Sequence, residues 1–379
     1  MDGDSADVTS TSRPPAAPPE TSFPDVSSPA VPSPEIETAL VAYRSLQRRR
    51  IVVLASLLAL LSVTFVINLA LGPARLGVDD IFRALLGQGD AGAQTIIWRL
   101  RLPYAVMAVL TGLALGLAGA EMQTILDNPL ASPFTLGLSA AAAFGASLAI
   151  ILDWRLPFPF LSGEGAVAAN AFLFAIGSSL ALDAVARLRG SATNTVVMFG
   201  IALVFTFQAC VALLQFIASE DALQDLIFWT MGSVTRATWP KIGALFVACV
   251  IVAPFSLRSA WALTALRLGE DRAASMGVDV RRVRLASLMR ISVLAAIAVA
   301  FSGTIGFVGL VAPHIARRLV GEDHRAYLPA AALSGCLIMS GATLASRNLV
   351  PGQVLPVGIV TALVGIPFFL GVVLRRPAS

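Results

Sequence analysis

ISVLAAIAVAFSGTIGFVGLVAPHIARRLVGEDHR, residues 291–325, decides how this chain is laid out. Residues 291–316 carry no charge, and the helix feeding them can begin near Val283. About 20 residues cross the hydrocarbon of a bilayer as a helix. Gly303, Gly306 and Gly309 interrupt the window, so it holds either one long span or two, the second short. Arginine and lysine favour the cytoplasmic side, and that separates the readings. Two spans here give ten in all with both termini cytoplasmic, and they gather most of the basic residues inside. One span throws Arg317, Arg318, Arg325, Arg375 and Arg376 outside and leaves the two sides nearly even. Charge asymmetry therefore predicts ten spans. Arg290 then lies near the cytoplasmic end of the seventh, from which it can snorkel.

Working outward, uncharged windows recur at 51–71, 102–120, 134–152, 165–182, 190–219, 242–257, 326–346 and 348–374. Of the 379 residues 56% are hydrophobic and 13% charged, where a soluble domain carries roughly 25% charge. The pattern predicts an all-α, polytopic membrane protein. Net charge is +4, and all but one of the 27 basic residues are arginine, Lys241 being the exception. They flank apolar runs, which suits membrane topology and not nucleic acid. Cys210, Cys249 and Cys336 lie far apart inside apolar stretches, without metal-ligand spacing, and read as small core residues. Two histidines ten residues apart do not make a metal or catalytic centre.

Residues 1–43 differ from the rest. TSRPPAAPPETSFPDVSSPAVPSPE is rich in Pro, Ser and Ala, so a disordered cytoplasmic extension is expected, followed by a ten-span domain over 44–379. It is no signal peptide, since its start is acidic and lacks an apolar core.

Two segments say more. RLRLPYAVMAVLTGLALGLAGAEMQTILDNPLASPFTLGLSAAAAFGA, residues 99–146, holds a span dense in small residues from Gly112 to Ala120, which allow close helix packing in a membrane. Asn128–Pro129 marks its cytoplasmic stop. GEDRAASMGVDVRRVR, residues 269–284, is charged and lies between spans six and seven. It reads as a short amphipathic helix with Ala273, Ala274 and Met276 apolar, closed by Gly277.

Taken with GFVGLVAPHI, GEDHR and LPVGIVTALVGIPFF (355–369), these segments resemble the ferric-siderophore, haem and cobalamin permeases of binding-protein-dependent ABC importers, the FecCD-type permeases. The resemblance runs over about residues 45–376, in order. It implies a cobalamin-permease-like fold in the bacterial inner membrane. It also implies four kinds of partner: a second permease subunit, identical or paralogous; two ABC ATPase subunits; a periplasmic or lipid-anchored binding protein; and a ferric siderophore as cargo, with cobalamin or haem as the alternative. No cofactor, metal or catalytic residue is implied.

The P-loop needs a lysine after its glycine, and Lys241 follows Trp-Pro, so ATP hydrolysis falls to another subunit. Gly269, Glu270, Ala274, Gly277 and Val278 match the ATPase-coupling loop; the plainer reading is a solvated, topology-setting basic loop. Arg101 and Arg347 match outer arginines that meet acidic residues of the binding protein, or else they only anchor helix ends. Tyr104 departs from the pattern, since many relatives carry a second arginine there. Thr193 and Asn194 match the cytoplasmic gate, and both are also preferred N-caps. His314 and His324 read as structural. Glu121 is an acid inside a small-residue helix, either functional or paired with an arginine. A membrane enzyme would need convergent acids or histidines in the bilayer, and only Glu121 and Asp183 come near. A sensory or scaffold protein is disfavoured by the coupling loop. An offset of five spans would invert one half on the other, with no residue-level repeat visible.

Overall fold

The computed structural model describes residues 34–374 apart from 73, 75, 156–162 and 189–192. The helices are α1 (Pro34–Ala70), α2 (Val78–Leu85), α3 (Ala91–Thr95), a π-wound turn (Ile96–Arg101) leading into α4 (Leu102–Ile125), α5 (Leu138–Ile151), α6 (Glu164–Leu188), α7 (Thr193–Ile217) and α8 (Glu220–Thr230). They continue as α9 (Trp239–Arg258), α10 (Ala260–Leu266), α11 (Glu270–Ser275), α12 (Val280–Ser302), α13 (Val308–Val320), α14 (His324–Asn348) and α15 (Val357–Leu374). No strand occurs among the described residues. Two compact units divide at Leu46–Gln47. In the first, the described residues 34–46 are helical. Residues 34–43, which the expected disordered extension included, are helical. Residues 1–33 lie outside the described residues.

Among the described residues, seven helices are long and apolar enough to cross a membrane. α5 and α15 are shorter apolar helices, and α13 has 13 residues. Ten helices thus stand where ten spans are expected. The deciding window is broken as the glycines suggest: α12 stops at Gly303 (φ +73°), and α13 starts after Phe307 (φ +67°). The break is held from outside. The Ser233 N–H donates to the Ser302 carbonyl at 2.7 Å, and the Thr304 hydroxyl donates to the Thr230 carbonyl. A Cβ on Gly303 would sit 2.3 Å from the Trp229 carbonyl oxygen, so only glycine fits.

α4 forms the centre. Of its apolar window 72% is buried, against 11% for α7, so α7 turns its apolar face outward. The small residues of α4 let neighbouring backbones close in. A Cβ on Gly335 of α14 would lie 2.1 Å from the Gly112 carbonyl oxygen, and one on Gly119 would lie 1.9 Å from that of Gly309 in α13. Packing of this kind replaces the hydrophobic drive that lipid does not supply. Gly335→Val is therefore expected to lower stability by about 1–3 kcal/mol, read as a lower thermal midpoint in detergent. A midpoint equal to wild type would contradict the packing.

The helix α4 ends at Ile125, a little before Asn128–Pro129, and the chain turns through Asp127 at φ +43°. Between the expected spans lie further short helices, α2, α3, α8 and α10. α8 begins at Ser219, whose side chain accepts from the Ala222 N–H (3.3 Å), with Glu220 and Asp221 in its first turn. α10 prolongs the stretch after α9.

Candidate functional site

The segment between α9 and α12 is built as a small platform. α10 buries Ala260, Leu263, Ala265 and Leu266. Gly269 (φ +103°) turns the chain into α11, which seats Ala273 at zero exposure. Gly277 (φ +82°) closes α11 in the left-handed region that glycine occupies freely. Val278 then tucks inward, and its N–H bonds the Ala273 carbonyl at 3.0 Å. Asp279 caps α12 by accepting from the Arg282 N–H at 3.0 Å. Of the expected apolar face only Ala273 is buried. Ala274 and Met276 point to solvent, as do Leu268, Gly269 and Gly277. The helix is amphipathic in the sense that one residue anchors it while an apolar, glycine-flanked face stays open.

Charged side chains bind this platform to three other elements. Arg284, buried, donates from Nε to the Ile125 carbonyl (3.1 Å) and from Nη2 to Glu270 (2.6 Å). Arg267 donates to Asp127 (2.5 Å) and to Glu322 (2.8 Å). Arg317 joins Glu322 at 3.3 Å, and Arg50 of α1 joins Asp323 at 2.7 Å. The hydrogen bond from Arg267 holds the Glu322 carboxyl below its ordinary value, against a smaller opposing effect of burial. Buried His324 lies between Thr124 (2.8 Å) and Thr264 (3.2 Å), and its backbone N–H donates to Thr264 at 3.0 Å. The platform is thereby clasped to the end of α4 and to the α13–α14 turn.

Glu270 was legible as part of the loop. Arg267, Arg284, Thr264 and His324 were not, because their partners lie up to 200 residues away and nothing local signals them. Charged hydrogen bonds of this kind contribute about 1 kcal/mol or more when partly screened. Arg267→Gln is expected to speed amide exchange over 269–278 several-fold, with the centre of α4 unchanged. Unaltered exchange in the platform would show that the clasp carries no strength.

At the opposite end, Arg101 and Arg347 converge on the end of α1. Arg101 donates to the carbonyls of Leu69 (2.6 Å), Ala70 (2.8 Å) and Ala74. Arg347 donates to the Asn68 carbonyl (2.9 Å) and side-chain oxygen (2.6 Å). Both are buried. Neither guanidinium stands on the surface. They satisfy the last carbonyls of a helix, which have no intrahelical donors and carry its negative dipole end. Arg347 keeps Nε without a bonding partner among the described residues.

Glu121 is 1% exposed and accepts from Arg290 of α12 at 3.0 and 2.7 Å. Asp183 pairs with Arg187 at 2.7 Å. Both acids are thus in ion pairs. Thr193 and Asn194 open α7, and their side chains lie outside the described residues. The His314 ring packs edge-on to Phe368 at 5.7 Å.

A helical bundle of this order, with an exposed loop platform clasped to several spans, is the build of a transport permease. The FecCD transport family matches residues 60–376, and the chain belongs to that family. It is a permease subunit of an ABC transporter. It is 37% identical to the hemin transport system permease protein HmuU of Yersinia pestis, over 81% of this chain and 92% of that one. It is 30% identical to the iron(3+)-hydroxamate import system permease protein FhuG of Bacillus subtilis, over 86% and 97%. A solved structure described as a metal-chelate type ABC transporter in an inward-facing conformation superposes with a TM-score of 0.75, at 32% identity, covering 85% of this chain and 99% of that one.

Proposed function

We propose that this chain imports a ferric siderophore across the bacterial inner membrane by alternating access, with both termini cytoplasmic. The observation that carries the reading is the 260–284 platform, open on one face and clasped on the other to α4, α13 and α14. A separate ATPase subunit pair docks on the open face, around Gly269, Ala274 and Gly277, with Glu270 and Val278 fixing its shape. Nucleotide-driven closure then moves the ends of three spans together. The chain works beside a second permease copy or paralogue, and Thr193 and Asn194 gate the path on the cytoplasmic side.

A binding protein delivers the cargo at the opposite end. Arg101 and Arg347, buried against the end of α1, hold the outer loops in the shape on which that protein docks.

For the cargo, a cavity of about 310 Å³ between α5, α7 and α8 is lined by Phe134, Ser139, Gln208, Gln215, Thr230 and Thr304, with no charged side chain among its lining residues. Neutral hydrogen-bonding groups suit a bulky chelate that hides its metal. A small oxyanion calls for a positively lined path. Cobalamin and haem are the alternatives the same wall admits. Uptake of radiolabelled ferric siderophore, cobalamin and haem in a strain lacking the gene, with and without the gene restored, tests the assignment. Restored ferric siderophore uptake is expected. Restoration of cobalamin or haem uptake alone would transfer the cargo to that compound, and restoration of none would remove the reading.

A further inference from the structure

At the end of the bundle opposite the platform, a cavity of about 400 Å³ lies between α5, α6, α8 and α9. Its wall carries both signs of charge: Asp153 is paired with Arg155 and Glu164 with Lys241, and Asp225 and Arg236 line it beside them. Beside it, between α6 and α12, a second cavity of about 530 Å³ is walled by Ala168, Ala169, Phe172, Ile297 and Phe301. Glu164, Lys241, Ala300 and Phe301 border both. The two form one amphipathic space, with the Lys241–Glu164 ion pair (2.7 Å) at its waist.

The level of this space follows from its neighbours. Trp239 opens α9, and its indole N–H donates to the Trp98 carbonyl at 3.2 Å, the two ring centroids being 6.2 Å apart. Tryptophans at helix ends mark the membrane–water interface, and Lys241 follows Trp239 by two residues. The charged half therefore sits at headgroup depth, and the apolar half runs into the hydrocarbon.

We propose that this space binds one phospholipid with a phosphoethanolamine headgroup. The phosphate lies at Arg236 and Lys241, the ammonium at Asp225, and an acyl chain lies along the α6–α12 groove. The donors are available for it. Lys241 uses two of its three protons, on Glu164 and on the Arg236 carbonyl (3.0 Å), and Arg236 bonds the Phe228 carbonyl through Nη2 at 2.7 Å. Burial lowers the Arg236 guanidinium from its ordinary value, while Glu164 and Asp225 pull the other way. Asp153 and Glu164 already have cationic partners, and a purely anionic headgroup would leave Asp225 opposed to it. A zwitterion with N–H donors satisfies both signs. The inference depends on the membrane setting and not on the cargo.

The test uses the assembled transporter in detergent, examined by native mass spectrometry after incubation with palmitoyl-oleoyl phosphatidylethanolamine, phosphatidylcholine or phosphatidylglycerol. One phosphatidylethanolamine per permease chain is expected to stay bound, with a preference of about tenfold or more over the other two, because trimethylammonium has no N–H for the Asp225 carboxylate and glycerol has no cation. Asp225→Asn with Arg236→Gln should abolish the preference. Ala169→Trp, which fills the groove and leaves the charges, should abolish retention of all three and decides the matter if the double variant does not fold. Equal retention of the three lipids, or a preference for phosphatidylglycerol, would overturn the proposal. So would free phosphoethanolamine competing as well as the whole lipid, which would make the polar chamber a site for a soluble ligand.

Discussion

Gly277→Asp should reduce uptake at least tenfold while the permease remains folded in the membrane. Gly277 holds φ at +82°, and a Cβ built there meets no atom within 4 Å. Within the chain the substitution therefore costs only the backbone strain of a left-handed residue, about 1–2 kcal/mol and least for Asn or Asp. What it changes is the open face of the platform, where a carboxylate would project beside Ala274 and Met276. Burying that charge against a docked ATPase without a partner costs several kcal/mol. Gly277→Ala separates the two effects, since it carries the strain without the charge, and it is expected to retain most uptake. Uptake and ATPase co-purification measured for both variants decide the matter. Equal loss in both would move the effect to the backbone, and no loss in either would remove the platform from the coupling path.

Glu121→Ala is expected to destabilise the fold by about 3 kcal/mol, because it leaves the largely buried Arg290 guanidinium with Ser287 as its remaining side-chain partner among the described residues (2.8 Å). The pair joins α4 to α12 in the most buried part of the bundle. The sum of the two single changes should greatly exceed the cost of Glu121→Leu with Arg290→Leu together, since the double change removes both desolvated charges. Thermal midpoints of the four proteins in detergent measure this. On the usual scaling the single variant falls by on the order of 10 °C. Additive single and double effects would show that the two groups do not depend on one another.

Much of the architecture was legible because membrane burial writes itself into sequence as long uncharged runs. The break in 291–316 was legible too, since Gly303 can stop a helix where other residues cannot, and charge asymmetry required the chain to turn there. The crowding of α4 followed from its run of small residues, although which helices fill the space, α13 and α14, is set by tertiary packing. The platform between spans six and seven was visible from its charge and Gly277. Its true anchors, Arg267, Arg284 and His324, were not, because each is defined by a partner distant in sequence. Arg101 and Arg347 show the limit most clearly. An arginine beside an apolar run reads the same whether it faces water or caps a neighbouring helix, and here both turn inward to the end of α1. α8 was missed despite its Ser219 cap, because an 11-residue helix lies below the length that identifies a span.

All of this turns on the platform lying inside the cell, against a nucleotide-hydrolysing neighbour. In a background with Cys210, Cys249 and Cys336 replaced by serine, Ala274→Cys gives a single exposed thiol on its open face. In intact spheroplasts it should resist a membrane-impermeant maleimide, react once the membrane is opened, and cross-link to the ATPase subunit. Labelling from outside the intact membrane would contradict the account.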